Sequence, residues 1–387
     1  MKIYLDYNST TPVLPEAAAA MQPYLSNIFG NPSNTHSAGI AAAASIEKAR
    51  EQIASLIGAK HKEEIIFTGS ATESINLAIS GVMRSQDNKR RKLLISSVEH
   101  AAARGTALAL EKSGYELEII PVNKKGQLDI KALKKQLDNT VALVSLIWAN
   151  NETGTILKLD EIPELVHSHG ALLHLDAVQA MGKITVNIGN IDADLLSISG
   201  HKIYGPKGIG ALFIKKGIEL EPLIYGGGQE RNLRSGTQNV SGAIGFGAAA
   251  FLAETRIDEY IKHTKELRDR LESGLRSGAK HIQVNGDADS KIPNTLNISI
   301  PDKNAEKIAL QLNEAGIAVS TGSACSSSKG TSGVLAAMGC SIPEVNGAIR
   351  FSVGWDNTAA EIDYTIEKLL ELINKQVGSK FTKIIKV

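Results

Sequence analysis

Lys202 stands in SISGHKIYGPKG (197–208), directly after an apolar run and inside a turn of serine, glycine and histidine. An amine drawn out of water loses basicity and becomes available as a nucleophile. Read alone, Lys202 is more simply a loop lysine paired with a carboxylate. It does not stand alone. HLDAVQA (174–180) closes another apolar run with Asp176 and then Gln179. In α/β sheets ligands bind at the carboxyl ends of strands. A carboxylate there could hold a protonated ring nitrogen, and the nearby amide could donate to a ring oxygen. FTGSATES (67–74) reads as a strand, a small-residue turn and a helix start. Ser70, Ala71 and Thr72 then offer amides and hydroxyls to a phosphate at a helix N-terminus. By itself that turn is better read as an ordinary N-cap.

Lysine, ring acid and phosphate cup are together the parts of a pyridoxal 5'-phosphate site. His100, closing ISSVEH, is placed to stack over the ring, and Asn151, in ANNETG, to approach the ring hydroxyl. The two cysteines differ in setting. Cys340 follows LAAMG and suits a buried small hydrophobe. Cys325 opens CSSSKGTSG (325–333), whose composition is that of a flexible, exposed segment. An exposed thiol is an oxidation liability and needs a function. Residues 325–333 are therefore expected to be exposed and more mobile than their flanks.

Other features carry less. GPKGIG (205–210) and YGGGQE (225–230) lack the GK[ST] ending of a phosphate-binding Walker loop and read as turns. His167 and His169, two apart on a helix, do not face each other. They read as a solvated helix end rather than a metal site, and His61 and His281 read as surface residues. No CxxC pair marks a thiolate zinc site.

The elements that must position these residues alternate. Apolar runs at 64–67, 92–97, 141–149, 171–176, 194–199 and 211–214 predict strands. Helical patterns fall at 38–57, 72–83 and 159–170. That alternation implies an α/β fold with a mostly parallel sheet. After Gly247 the pattern predicts one long amphipathic helix over 248–276. Strands at 295–300 and 317–320 and helices at 304–315 and 359–377 follow, as a smaller α+β domain onto which residues 1–14 return.

The 387 residues suit two to three domains at about 150 residues each. With 43% hydrophobic and 21% charged residues the chain can bury a sizeable core. Forty-two basic residues against 41 acidic ones give a net charge of +1, which argues against a dedicated nucleic-acid or membrane-surface binder. Aromatics, at 4%, are too few for stacking platforms along a single strand. No run approaches the roughly 18 apolar residues of a membrane span, and MKIYLDYNST lacks a signal-peptide core. A cytoplasmic setting is expected.

Ten motifs, in order, resemble those of NifS/IscS-like cysteine desulfurases in the class-V aminotransferase family: YLDYNSTT, GNPSNTH (30–36), TGSATES, VEH, NNETG, HLDAVQ, SGHKIYGPKG, RSGTQN (234–239), STGSACSSS (320–328) and IRFSVGWDNT (349–358). The resemblance spans essentially the whole chain. It implies a fold-type I, pyridoxal-phosphate-dependent transferase acting as a homodimer with shared active sites. Its large domain would be 15–255. Its smaller domain, 1–14 and 256–387, would carry the cysteine loop and the substrate arginine. By motif, Lys202 carries the cofactor covalently, Asp176 pairs with the ring nitrogen, and His100 stacks and serves as acid and base. Asn151 and Gln179 contact the ring oxygen, and Ala71, Thr72, Ser199 and His201 the phosphate. Thr237 reaches the phosphate from the other subunit. Arg350 clamps the substrate carboxylate, with Asn31, Asn151 and His36 near the substrate, and Cys325 takes the sulfur as a persulfide. The implied reaction turns L-cysteine into L-alanine and delivers sulfur to an acceptor protein in iron–sulfur cluster, tRNA-thiolation or thiamine pathways. A selenocysteine lyase or another β-elimination is the alternative; it does not require a thiol on a mobile loop. A non-catalytic relative is disfavoured by the intact Lys202, Asp176, His100 and Cys325. A dinucleotide oxidoreductase is disfavoured by the missing GxGxxG.

Overall fold

The computed structural model describes residues 2–85, 90–321 and 332–381, with side chains up to 374. Strand β1 (Ile3–Tyr4) opens the chain. Seven strands then form the main sheet: β2 (Ile65–Thr68), β3 (Lys92–Ser96), β4 (Glu116–Ile120), β5 (Val141–Ile147), β6 (Leu172–Asp176), β7 (Leu195–Ser199) and β8 (Gly210–Ile214). Their spatial order is β2-β8-β7-β6-β5-β3-β4. Strands β3 to β7 pair in parallel, and only β8 runs against its two neighbours. The mixed α/β fold with a mostly parallel sheet is thus the one the alternation predicts. The apolar runs do not predict strand β4. It is a half-exposed edge strand, whose alternating ELEII pattern is weaker than the continuous apolar runs of strands covered on both faces.

Successive residues of each strand feed opposite faces, as the pleat requires. Phe67, Leu94 and Val144 join one core with Ile46, Ile53 and Phe246. Ile66, Leu93 and Leu143 join the other with Ile75, Ile79 and Ala103. The helix Ser37–Ile57 lies against Val240–Thr255 so closely that a Cβ on Gly247 would sit 2.6 Å from the Ala49 Cα.

A second group comprises β9 (Gln283–Val284), β10 (Thr295–Ser299), β11 (Ile317–Ala318), β12 (Ser320–Thr321) and β13 (Ala348–Ser352). Four of them form an antiparallel sheet in the order β12-β13-β10-β9, while β1 pairs in parallel with β11. Ile3 and Leu5 are buried with Leu271, Ile298, Phe351 and Ile362 in a separate core. The chain start thus lies on the C-terminal part.

The single helix expected over 248–276 is two helices. Val240–Thr255 ends at Arg256 and Ile257–Gly278 begins there, at φ −117° and ψ 16°. They occupy different environments. The first, VSGAIGFGAAAFLAET, is apolar on nearly every side and carries no charge before Glu254. The second is one-sided, burying Tyr260, Leu267, Leu271 and Leu275. The sequence pattern blended the end of one into the start of the other.

Candidate active site

Because β2 and β3 to β7 share one direction, their carboxyl ends open on the same side of the sheet, and all but the edge strand β4 deliver a predicted residue. After Thr68 the chain turns through Gly69 and Ser70 into the helix Ala71–Ser85. After Ser96 comes His100, which caps the helix Ala101–Lys112 by accepting from the Ala102 N–H at 3.1 Å. Strand β5 leads to Asn151, β6 ends on Asp176 with Gln179 behind it, and β7 ends on Ser199 before His201 and Lys202. A cavity of about 280 Å3 is lined by all of these, together with Ala71, Thr72 and Arg350. The turn carrying the helix N-terminus rests on Gly210, where a Cβ would come within 2.6 Å of Ser70. Ser70 itself caps that helix, accepting from the Glu73 N–H at 3.2 Å, so the ordinary N-cap reading holds for it as well.

Asp176 is 3% exposed, and its Oδ1 accepts the Val178 N–H at 3.0 Å. Burial pushes its carboxyl up, while the neighbouring His100 and Lys202 pull the other way. A buried carboxylate of this kind is held ionised by a cationic partner, and a protonated ring nitrogen is one. Lys202 Nζ donates to the backbone carbonyls of Asn8 at 2.6 Å and Ser9 at 2.7 Å. The His201 imidazole is held near 4 by burial and by the charge of Lys202, so it is neutral at pH 7. Its Nδ1 lies 3.1 Å from Thr10 Oγ1. The Ser199 hydroxyl is buried without a hydrogen-bond partner among the described residues, as a donor awaiting an oxygen ligand would be.

Arg350 on β13 reaches the cavity from the second sheet. Its Nη1 donates to the Asn151 carbonyl at 2.9 Å. Its Nη2 donates to Asp6 Oδ1 at 2.6 Å and Ser9 Oγ at 2.9 Å. The head group is thus braced, yet its buried Nε–H has no partner among the described residues. A braced guanidinium with a spare donor suits a planar carboxylate.

Not every expected residue reaches the cavity. Asn31 is exposed, with Oδ1 accepting from the Ser33 N–H, and His36 caps the helix Ser37–Ile57. Thr237 is exposed outside the cavity lining of its own chain. Cys325 and most of the 325–333 segment lie outside the described residues. Ser332, however, is not exposed as expected. It is 3% exposed, its hydroxyl donates to Glu152 Oε2 at 2.5 Å, and it caps the helix Gly333–Ala337. The glutamate beside Asn151 supplies a polar anchor that composition could not reveal. Cys340 is half-buried beside Val98 and Met338, in keeping with its apolar reading, and burial raises its thiol pKa. His167 also differs from the solvated helix end expected. Its ring lies 2.9 Å from Asp194 Oδ2 and 3.3 Å from Asp192 Oδ2, because the loop before β7 brings both aspartates back to it.

Sequence reasoning passed over Asn8, Lys183 and Glu99. Nothing within YLDYNSTT distinguishes Asn8 from its neighbours, and the i, i+4 spacing to Gln179 is the one signal that Lys183 carries. Asn8 lines the cavity and ties its walls together. Its side chain donates to the Asn151 carbonyl at 3.3 Å and to Thr295 Oγ1 at 2.8 Å, and accepts from Asn294 at 3.1 Å.

Fold and cavity together define an enzyme of a known class. Residues 3–365 match the family model for class-V aminotransferases. The chain is 44% identical over 374 residues to a cysteine desulfurase of Trichormus azollae, covering 96% of this chain and 93% of that one. A solved NifS-like protein superposes with a TM-score of 0.91 at 37% identity, over 97% of this chain and 100% of that one. A structure of SspA in complex with cysteine matches with a TM-score of 0.80 at 32% identity, over 91% of this chain and 99% of that one. The chain belongs to the class-V aminotransferases and, within them, to the cysteine desulfurases.

Proposed function

We propose that the protein is a cysteine desulfurase that converts L-cysteine to L-alanine and takes the sulfur onto Cys325. The observation that carries this reading is the meeting of Lys202, Asp176 and Arg350 in one cavity, with Cys325 a short chain length away. Ser320 and Thr321 pair with Arg350 and Ile349. Three residues then separate Thr321 from Cys325, so four Cα-to-Cα steps give a reach of at most about 14 Å.

Pyridoxal 5'-phosphate fits the donor set. Lys202 would hold its aldehyde carbon, Asp176 its ring nitrogen and Gln179 its ring oxygen. The Ala71 and Thr72 amides, the unpartnered Ser199 hydroxyl and His201 would hold its phosphate, with His100 over the ring. When bound, the cofactor supplies a sink for the electron pair left at the substrate Cα. Arg350 binds the substrate carboxylate, while its brace to Asp6 keeps it from swinging away. Lys202 takes the proton from Cα, and His100 is placed to move a proton at the substrate's amine or sulfur. The Cys325 thiolate attacks the substrate sulfur. An S–S bond forms, the Cβ–S bond breaks, and its electron pair stays with the three-carbon fragment, which takes up a proton at Cβ, regains one at Cα from Lys202 and leaves as alanine. The enzyme keeps Cys325 as a persulfide for an acceptor protein.

The further parts of this reading are a homodimer in which Thr237 completes the partner's phosphate site, a division into 15–255 and 1–14 with 256–387, and a cytoplasmic setting. Among the described residues no helix is long and apolar enough to cross a membrane.

The test is Cys325→Ser. The variant is expected to keep the cofactor's visible band and to bind cysteine, yet to form no persulfide and release little alanine. Alanine at the wild-type rate would refute the sulfur-transfer step and favour direct β-elimination.

A further inference from the structure

Lys183 is fully buried, at 1% exposure, in the turn that follows Gln179. The charges acting on it are the cations Lys202 and Arg350, which together with burial hold its pKa well below the ordinary lysine value. Its amine donates to two amide oxygens, Asn8 Oδ1 at 3.0 Å and Gln179 Oε1 at still closer range. Both acceptors belong to residues that line the cavity.

An amide has one accepting end and one donating end, and its neighbours decide which end faces where. We infer that Lys183 is a positioning residue: by holding Gln179 Oε1 it fixes the Gln179 amide so that its N–H end faces the cavity. The same amine holds Asn8 Oδ1, which also accepts from Asn294. The Gln179 Nε2 donates one hydrogen to the Asn8 carbonyl at 2.9 Å, leaving the other for a ring oxygen of the bound cofactor. Without Lys183 the buried Gln179 oxygen loses its donor and the amide is free to turn its carbonyl toward that ring oxygen. Two acceptors would then face each other. The lysine thereby acts on the ring through Gln179 and touches neither cofactor nor substrate.

This inference rests on the pyridoxal-phosphate reading, and its test separates the two. The absorption band of the purified holoenzyme is recorded against pH for wild type, Gln179→Ala, Lys183→Met and the double variant. Lys183→Met is expected to show the band position and band pKa of Gln179→Ala, with about tenfold weaker cofactor retention, the equivalent of one hydrogen bond. The double variant should shift no further than Gln179→Ala alone. Lys183→Gln, which keeps an N–H donor without the charge, should retain the wild-type band. It decides the matter if Lys183→Met does not fold. A wild-type band in Lys183→Met, a shift that adds to that of Gln179→Ala, or a shifted band in Lys183→Gln would each overturn the inference. A wild-type protein with no visible band would instead overturn the cofactor reading.

Discussion

Glu99, next to the cavity-lining His100, offers a quantitative test of how burial sets charge near the site. It is buried beside His100, and its Oε1 accepts the Ser96 hydroxyl at 2.5 Å and the Ile147 N–H at 2.8 Å. Its Oε2 has no partner among the described residues. Burial, reinforced by nearby Asp176, raises its carboxyl from 4.5 to about 8, so it is protonated at neutral pH. Between those two values the folded protein keeps a proton that the unfolded chain has released. Stability from this group is therefore present in full below about pH 4.5 and is lost as pH rises to about 8. From pH 5.5 to 8.5 the loss is roughly 3 kcal/mol. Glu99→Gln keeps the shape and the accepting oxygen but cannot ionise. Its stability relative to wild type should rise by that amount over the same interval, measured by urea denaturation at fixed protein and cofactor concentration. Buried His174 and His201, held near 3 and near 4, make stability rise with pH in the acid range, but they do so in both proteins and cancel. A gap between the two proteins that stays constant with pH would show that Glu99 is not the buried neutral acid described.

Three further outcomes are expected. Lys202→Ala should lose the borohydride-fixable link to the cofactor, and peptide mapping of reduced wild-type protein should find the label on Lys202; a label on any other lysine refutes its role. Arg350→Ala should raise KM for cysteine by at least tenfold with the cofactor band intact, since a charge-assisted pair contributes about 1.5–3 kcal/mol; loss of cofactor at unchanged KM would assign Arg350 a structural role through Asp6. Mixed dimers of a Thr237 variant and a Lys202 variant should regain part of the activity, because both defects fall in one site and leave the other whole; none regained counts against shared sites.

Sequence alone determined the covalent inventory and most of the frame. Lys202, Asp176, His100 and Asn151 each follow an apolar run, and a run of that length and composition becomes a buried strand almost regardless of context. Once the strands are parallel their ends must coincide, so those four residues were legible as one site. Tertiary structure decided what has no local signature. β4 emerged only because an edge was left to fill, and the break at Arg256 only because two helices meet different surroundings. Asn8 reaches the cavity because the chain start pairs with β11, more than three hundred residues away in sequence. Lys183 has no burial signal in the sequence and is carried inward by the turn after β6. Glu99 has no such signal either, and its setting is made by Ser96 and Ile147. A residue's chemistry is carried by its own side chain, but its charge state and the direction of its donors are set by whichever neighbours the fold places within about 3 Å.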